Sequence, residues 1–400
     1  MSSSPDSAVA ILDVGKTRSK LTAWTPEGRN IARLDRDNPT RLEGGIRRLD
    51  IEGIECWLLA SLAELARQAE IAAIVPAAHG AAAVLMKDSS PVFALDYEQP
   101  PPDEVTAAYG ALRDSFDATL SPRLPGGLNL GLQLYWLEAL FPDLWPERSE
   151  VLLWPQFWAW RLCGERACEV SSLGCHSDLW RPHERRFSAL AEARGWSSRL
   201  GTLRRADAVL GSIRPDLAVE LGLSRDCRIY CGMHDTNAAL HAARALAGFE
   251  DRPFSLVSTG TWFVCLSVGS RKAALYDPAR PIMANSDIFG APTPTARFMG
   301  GRDHERAMRT GLGAAADLAA RSMTALEAIG AEGPIVVEGR FAFDRAFMEE
   351  LARRAADREA RIIPLVDGVA LGTLRLAIPD LSCAAFASAE PVHAREESAG

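Results

Sequence analysis

The chain has 400 residues, of which 48% are hydrophobic and 24% are charged, and its formal net charge is −8 with a pI near 5.5. These values are typical of a soluble globular protein with two or three domains. The negative charge argues against nucleic acid or an anionic membrane as the main partner, because both attract basic surfaces.

The first residues, the longest apolar stretch and the cysteines bear on the cellular compartment expected for this chain. Residues 1–6 lack the pattern of a signal peptide, and the longest apolar stretch is too short to cross a bilayer. The eight cysteines form no C-x-x-C pair, so we expect reduced core residues rather than disulfides or zinc ligands. We therefore expect a cytoplasmic protein without a membrane partner.

Residues 9–24 predict a β-hairpin, because an apolar run, a small polar turn and an alternating run follow one another. Asp13 ends the first strand, where its carboxylate could hold a hydrated Mg²⁺. A glycine in the turn lets the backbone approach an anion, and hydroxyl groups add to the N–H donors. The phosphate-binding residues predicted in this turn are Gly15, Lys16, Thr17 and Ser19.

This stretch has two alternative interpretations. Gly15-Lys16-Thr17 looks like the end of a Walker A loop, G-x-x-x-x-G-K-[ST]. That interpretation fails, because the first glycine position is Ala10 and a strand rather than a helix is predicted after the turn. An ordinary hairpin with an aspartate in its turn explains the stretch, taken alone, equally well.

The next segment predicts a mixed α/β sheet. Its predicted elements are a helix at 54–68 and strands at 71–76, 84–86 and 92–95. The first of these strands leads to His79-Gly80, and the last leads to Asp96.

Residues 103–165 predict helices buried on most faces, at 128–140 and 151–162, within a tryptophan-rich core. A short strand at 228–232 then precedes Met233-His234-Asp235-Thr236 and a helix of small residues that runs to 247. Asp235 lies at this predicted junction of strand and helix, where a carboxylate could accept a proton. The alternative is that Asp235 only caps the helix.

Residues 254–268 repeat the pattern of the first hairpin, with Thr259, Gly260 and Thr261 as its phosphate-binding turn. Two such hairpins indicate a duplicated fold with a nucleotide held between its halves. We place the boundary near residue 247, which gives domains at 8–247 and 248–380. The remaining predicted elements are helices at 304–329, 345–358 and 369–377, strands at 334–338 and 361–365, and a disordered tail after Pro379.

Five short motifs together resemble the FGGY family of carbohydrate kinases, within the actin, heat-shock-protein and sugar-kinase superfold. They lie at residues 13–20, 79–80, 161–172, 232–236 and 258–261. The resemblance implies an α/β fold of two ribonuclease-H-like domains with a nucleotide cleft between them. It also implies ATP-dependent phosphorylation of a sugar hydroxyl, with ATP and Mg²⁺ as cofactors and no nucleic-acid partner. The chain could form a homodimer.

The resemblance also assigns residues. Asp235 becomes the general base, and Asp13 becomes the residue that holds Mg²⁺. The sugar contacts are His79, Gly80, Asp96, His234 and Thr236, and the adenine side has Gly300, Gly301, Gly339 and Asp344. Because this last set departs from the paired glycines and asparagine of the family, the nucleotide preference stays open.

The catalytic motif looks most like that of kinases that phosphorylate L-rhamnulose and L-fuculose. We therefore expect a deoxyketose or a pentulose as the substrate. Two alternatives remain open: an ATP-binding switch like actin or a chaperone, and a sugar sensor without catalytic activity.

Overall fold

The computed structural model describes residues 7–145, 149–246, 249, 252–277, 279–301, 314–356 and 361–387. The chain separates into two compact units. Unit 1 comprises Met1–Ala238, Asn285–Pro292 and Thr373–Leu381, and unit 2 comprises Ala239–Ala284, Thr293–Gly372 and Ser382–Gly400. The boundary expected from the sequence lies at residue 247, whereas the first division between the units lies at Ala238 and Ala239, inside a helix.

The part of the chain up to the first division is mixed α/β. Its strands are β1 Ser7–Val14, β2 Arg18–Trp24, β3 Asn30–Asp37, β4 Arg41–Glu43, β5 Ile46–Arg48, β6 Glu70–Ala78, β7 Ala83–Lys87, β8 Ser90–Phe93, β9 Ser149–Leu153, β10 Ala167–Glu169, β11 Trp180–Arg181, β12 Arg186–Phe187, β13 Thr202–Arg204, β14 Val209–Ser212, β15 Arg228–Tyr230 and β16 Met233–His234. Its helices are α1 Ile51–Gln68, α2 Asp103–Gly110, α3 Phe116–Thr119, α4 Leu130–Leu140, α5 Trp154–Cys163, α6 Val170–Leu173, α7 Ala189–Ala193, α8 Trp196–Arg199 and α9 Pro215–Leu221, and α10 Asp235–Arg244 crosses the division.

The main sheet of unit 1 has the order β14-β15-β6-β1-β2-β3, and β16 also pairs with β6. β1 and β2 form the predicted antiparallel hairpin, while β1 and β6 are parallel. Every residue of β1 is buried, as expected of a continuous apolar strand that is covered on both faces. The predicted helix at 54–68 is confirmed as α1, which buries Ile54, Leu58 and Leu62 at helical spacing.

Unit 2 repeats this pattern with fewer elements. Its strands are β17 Phe254–Thr259, β18 Phe263–Val268, β19 Ile282–Ser286, β20 Pro292–Phe298, β21 Ile335–Gly339 and β22 Ile362–Leu365, and its helices are α11 Ala314–Ala328 and α12 Arg345–Ala355, with short 3-10 turns at Arg340–Phe343 and Ala384–Phe386. The end of β19 and the first residue of β20 belong to unit 1, and α13 Gly368–Ala377 crosses into unit 1 at Thr373. The strand order is β19-β20-β18-β17-β21-β22. β17 pairs antiparallel with β18 and parallel with β21. The second predicted hairpin is therefore confirmed, with the same neighbours as the first.

The structure corrects one predicted element. The helix expected at 151–162 begins only at Trp154, because residues 149–153 form β9, which pairs with β7. Of the helix predicted at 304–329, residues 304–313 lie outside the described residues. The disorder predicted after Pro379 is wrong over residues 380–387, because Leu381 and Cys383 are buried and Ala384–Phe386 form a 3-10 turn. The tail from residue 388 onward lies outside the described residues. Among the described residues, we find no helix that is both long enough and apolar enough to cross a membrane.

Candidate active site

Asp13 is held at the end of β1 by its cross-strand neighbour. The register of the hairpin places Asp13 opposite Lys20, whose Nζ donates a hydrogen bond to Asp13 Oδ2 over 3.1 Å. Burial raises the pKa of Asp13, and the negative charge of Asp235 raises it further, while Lys20 acts in the opposite direction. Asp13 is therefore a buried carboxylate within electrostatic reach of a second one.

The turn after Asp13 is closed mainly by its own hydrogen bonds. The Gly15 N–H donates to the Arg18 carbonyl over 3.0 Å, and the buried Ser19 hydroxyl donates to Asn38 Oδ1, also over 3.0 Å. Thr17 is exposed. Of the hydroxyl groups predicted to bind phosphate in this turn, that of Ser19 is thus engaged within the protein.

Lys16 does not extend from the turn into solvent. Its Nζ lies 3.0 Å from Asp96 Oδ2 and 5.6 Å from the centre of the Tyr97 ring. The Asp96 carboxylate also accepts a hydrogen bond from the Thr40 hydroxyl over 2.9 Å. Burial raises the pKa of Asp96, but Lys16 and these hydrogen bonds outweigh burial and lower it overall. The structure thus brings a predicted phosphate ligand and a predicted sugar contact together as a buried ion pair.

His79 follows β6 and is neutral. Its Nδ1 lies 2.8 Å from the Gly80 carbonyl, which can only accept, so this nitrogen carries the proton. Burial lowers the pKa of His79 to about 4, although the Gly80 contact and Asp235 act in the opposite direction. The His79 ring lies 5.6 Å from the Tyr97 ring. His79 Nε2 is therefore left as a hydrogen-bond acceptor.

Gly80 is required by the close packing beside His79. A Cβ atom at Gly80 would lie 2.6 Å from Cys175 Sγ and 3.0 Å from His234 Nε2. Real Cβ atoms essentially never come as close as 2.6 Å to another atom, so a side chain at this position would displace Cys175 and press on His234.

His234 ends β16, and Asp235 begins α10 directly after it. His234 Nε2 lies 3.3 Å from Asp235 Oδ1, and Asn237 Nδ2 lies 3.2 Å from His234 Nδ1. Because a carboxylate only accepts, these contacts are satisfied together when Nε2 of the imidazole carries the proton and the amide of Asn237 donates to Nδ1. Burial lowers the pKa of His234, so the ring is the neutral tautomer that donates to Asp235.

Asp235 accepts from its immediate neighbour as well. The Thr236 N–H and hydroxyl donate to Asp235 Oδ1 over 2.6 and 3.2 Å. Within the described part of the chain, the contacts recorded for this carboxylate all involve Oδ1, which leaves Oδ2 able to accept a proton. A quarter of the Asp235 side chain is exposed.

The buried carboxylate of Glu169 supports the end of β16 through Ser171. The sequence motif alone does not predict this role. Glu169 accepts from the N–H and hydroxyl groups of both Ser171 and Ser172 over 2.7–3.1 Å. The Ser171 hydroxyl in turn accepts from the His234 N–H over 3.2 Å. Burial raises the pKa of Glu169 to about 7 against the effect of these four hydrogen bonds. Residues 169–172, Glu-Val-Ser-Ser, are part of one of the motifs that resemble the FGGY family. The hydrogen bond that links them to His234 is visible only in three dimensions.

The turn of unit 2, residues 259–261, has no charged side chain of its own, although the Glu338 carboxylate accepts a hydrogen bond from Ser258 in the strand before it. The Thr259 hydroxyl donates to the Glu338 carbonyl over 2.6 Å and accepts from the Phe341 N–H over 3.0 Å. This hydroxyl is fully engaged within unit 2. Gly260 and Thr261 form the more exposed part of the turn.

The glycines predicted on the adenine side pack around this second turn. A Cβ at Gly301 would lie 2.1 Å from the Gly260 carbonyl oxygen, one at Gly300 would meet the ring of Phe263, and one at Gly339 would meet the Thr259 carbonyl. These residues therefore lie together.

Asp344 has a different position in unit 2. It caps α12, accepting the Phe347 N–H over 2.9 Å.

The predicted Mg²⁺ site involves one residue of the chain, Asp13. Among the described residues, no group of three or more His, Cys, Asp or Glu side chains is arranged to hold a metal ion. Asp13 offers the oxygen ligands that Mg²⁺ prefers. Burial is the main cause of its raised pKa, and the Asp235 carboxylate adds a repulsion that a cation would relieve. Asp13 therefore fits a Mg²⁺ ion held with water as its remaining ligands.

Comparisons with known proteins identify the family. The family model for the carbohydrate kinase FGGY C-terminal domain matches residues 251–321. A carbohydrate kinase from Novosphingobium aromaticivorans is 35% identical, with a TM-score of 0.85 over 98% of this chain and 97% of that one. The chain belongs to the FGGY family of carbohydrate kinases.

More distant relatives bear on this FGGY kinase less directly. A xylulose kinase from Lactobacillus acidophilus is 12% identical, with a TM-score of 0.79 over 97% of this chain and 94% of that one. That likeness supports the two-domain fold shared by actin, heat-shock proteins and sugar kinases, as predicted from the sequence.

One curated relative matches only a part of this FGGY kinase. An L-fuculokinase from Salmonella typhi is 28% identical over 167 residues, which are 39% of this chain and 34% of that protein. The match thus spans about a third of the length of the curated relative.

Proposed function

We propose that this chain transfers the γ-phosphate of ATP to a hydroxyl group of a neutral ketose of the L-rhamnulose or L-fuculose type, with Asp235 as the general base. The main support for this role is the arrangement of the Asp235 carboxylate. Among the described residues, Thr236 and His234 contact it through Oδ1. Oδ2 is therefore available for the proton of an attacking hydroxyl.

The hydrogen bonds of Asp235 favour a base over a simple helix cap. A capping aspartate accepts from N–H groups two or three residues further along the helix. The backbone donor recorded for Asp235 is instead the adjacent Thr236 N–H. Because the neutral His234 donates to the same oxygen, the carboxylate is held in one orientation without losing its charge to a cationic partner.

Phosphoryl transfer depends on positioning and charge neutralisation more than on covalent chemistry. Asp13 would hold Mg²⁺, which when bound would neutralise charge on the transferred phosphoryl group. The neutral turn of Gly260 and Thr261 would supply N–H and hydroxyl donors to the phosphates. The use of ATP is also consistent with the cytoplasmic location expected from the sequence.

The support for the substrate is the local similarity to an L-fuculokinase and the charge of the site. Lys16 is balanced by Asp96, His79 and His234 are neutral, and Asp235 adds a negative charge. An acceptor that carries a carboxylate would be repelled by such a site, whereas a neutral ketose would not.

A coupled assay of ADP release tests the proposal. The panel is L-rhamnulose, L-fuculose, L-ribulose, D-xylulose, glycerol and D-gluconate, each with ATP and Mg²⁺ and again in EDTA. We expect turnover of a deoxyketose or pentulose that EDTA abolishes. Preferred turnover of glycerol or gluconate would overturn the substrate assignment. ATP binding without any turnover would favour a nucleotide switch, and sugar binding alone would favour a sensor.

A further inference from the structure

Lys16 is next to Gly15 in the first hairpin turn, which is the position of a phosphate ligand, yet its side chain is directed elsewhere. The Lys16 ammonium lies 3.0 Å from Asp96 Oδ2, and the side chains of the pair are only 8% and 0% exposed. It also lies 5.6 Å from the centre of the Tyr97 ring. This environment is built by residues 96 and 97, far from the turn along the chain.

Electrostatic effects associate Lys16 with His79. The positive charge of Lys16 is among the largest influences on the pKa of His79, which it lowers. The cations with the largest effects on the pKa of Asp13 are Lys20 and Arg33. The rings of His79 and Tyr97 meet edge to face at 5.6 Å, so Lys16 and His79 lie against the same tyrosine. Lys16 therefore belongs with His79.

The hydrogen bonds that remain available in this group are complementary. Asp96 is saturated, because it accepts from Lys16, the Thr40 hydroxyl and the Glu98 N–H. An ammonium group has three N–H donors, and the contact with Asp96 uses one of them. His79 donates from Nδ1 to the Gly80 carbonyl, so its Nε2 keeps a lone pair.

We propose that Lys16 is a sugar-binding residue of this chain, which donates to a hydroxyl of the neutral acceptor while His79 Nε2 accepts from the same or the adjacent hydroxyl. Asp96 then acts as the positioning residue that holds the ammonium in place. A donor and an acceptor that lie against the same tyrosine ring can together match a hydroxyl group, which both donates and accepts. This inference rests on the proposed function.

The test compares Lys16→Met with the double variant Lys16→Met/Asp96→Asn. Methionine retains the length of the side chain and removes the charge, and the double variant avoids leaving Asp96 buried without a partner. Two quantities are measured: the KM for the ketose that the panel above identifies, and the Kd of the Mg²⁺ complex of AMP-PNP titrated without sugar.

We expect the KM for the ketose to rise about 10- to 100-fold in both variants, as for a lost hydrogen bond to a charged group. The Kd for AMP-PNP should change less than about twofold, since donors elsewhere would hold the phosphates. If Lys16→Met does not fold, the double variant decides alone. A weaker nucleotide complex with an unchanged sugar KM would overturn the inference and return Lys16 to the phosphate. A wild-type protein that turns over none of the panel would overturn the proposed function, and this inference with it.

Discussion

The two hairpins occupy the same place in their sheets but differ in charge. β1 and β17 each pair antiparallel with the next strand and parallel with a later one, β6 or β21. The first hairpin carries Asp13 with Lys20, and its turn carries Lys16, paired with Asp96. The second has a neutral turn, in which the Thr259 hydroxyl is used within unit 2.

This difference shows that topology determines where a turn lies but not what it can do. Both turns have a glycine and hydroxyl residues, but only the first also contains charged residues, Lys16 and Arg18. The partners of their side chains differ, because the loop after β8 brings Asp96 to the first turn, while backbone groups of residues 338 and 341 meet the second. We therefore expect charged chemistry in unit 1 and neutral hydrogen bonding in unit 2.

The largest expected effect comes from a comparison of two Asp→Asn substitutions, one at the start of a helix in each unit. Asp235→Asn removes the proposed proton acceptor, so kcat should fall by about 10² to 10⁴. Asp344→Asn retains a good cap, because asparagine caps a helix about as well as aspartate. Its kcat should stay within about twofold of the wild type. The measurements are kcat and the melting temperature of both variants.

Near wild-type turnover of Asp235→Asn would remove Asp235 from the mechanism. A selective loss of ATP affinity in Asp344→Asn would instead support the predicted nucleotide contact of Asp344, which its capping position does not require.

The next largest effect comes from a comparison of one variant in each hairpin by its kcat/KM for Mg²⁺–ATP. Asp13→Asn should lower kcat/KM for Mg²⁺–ATP by about 10² or more, because charge neutralisation by a bound metal is worth several kcal/mol. Thr261→Val removes one neutral hydroxyl and should lower it only about two- to tenfold. Steady-state kinetics over a range of Mg²⁺ concentrations provides the comparison. Equal losses in both variants would contradict a charged first turn and a neutral second one.

The elements that local pattern determines were predicted correctly. Both hairpins follow from alternating apolar runs around a small turn, and α1 follows from apolar residues at helical spacing. The helix expected at 151–162 was wrong at its start, because Val151–Leu153 pairs with β7, which precedes it by more than sixty residues. Pro155 near the start of α5 was the local signal of the true beginning.

The candidate site was predictable as a set of residues, but not in its contacts. The order of motifs placed Asp13, His79 and Asp235 together, and their mutual electrostatic effects agree with that placement. Spacing along the chain could not show that Lys16 pairs with Asp96, because that contact depends on the path of the loop after β8. Their roles stay predictions that the variants above test.

The smallest expected effect concerns the buried hydrogen bonds that support His234 in unit 1 and the Thr259 hydroxyl in unit 2. Glu169 holds Ser171, whose hydroxyl accepts the His234 N–H, so an ionisable group supports the residue before Asp235. The Thr259 hydroxyl is held by the Glu338 carbonyl and the Phe341 N–H, which do not titrate. The stability of the two supports should therefore depend on pH in different ways.

Glu169→Gln tests this difference through the free energy of unfolding measured by urea between pH 4 and 8. Burial raises the pKa of Glu169 from 4.5 to about 7, so between these values the folded state retains a proton that the unfolded state has lost. At Glu169 the folded state binds more protons in this window, so the contribution of Glu169 to stability falls as pH rises from 4.5 to 7, by roughly 3 kcal/mol at most. Glu169→Gln should lack this fall, and its disadvantage relative to the wild type should shrink as pH rises. Thr259→Val should lower stability by the same amount at every pH. Parallel curves for the wild type and Glu169→Gln would show that the four hydrogen bonds keep Glu169 ionised, and that the support beneath Asp235 is as insensitive to pH as the one beneath the neutral turn.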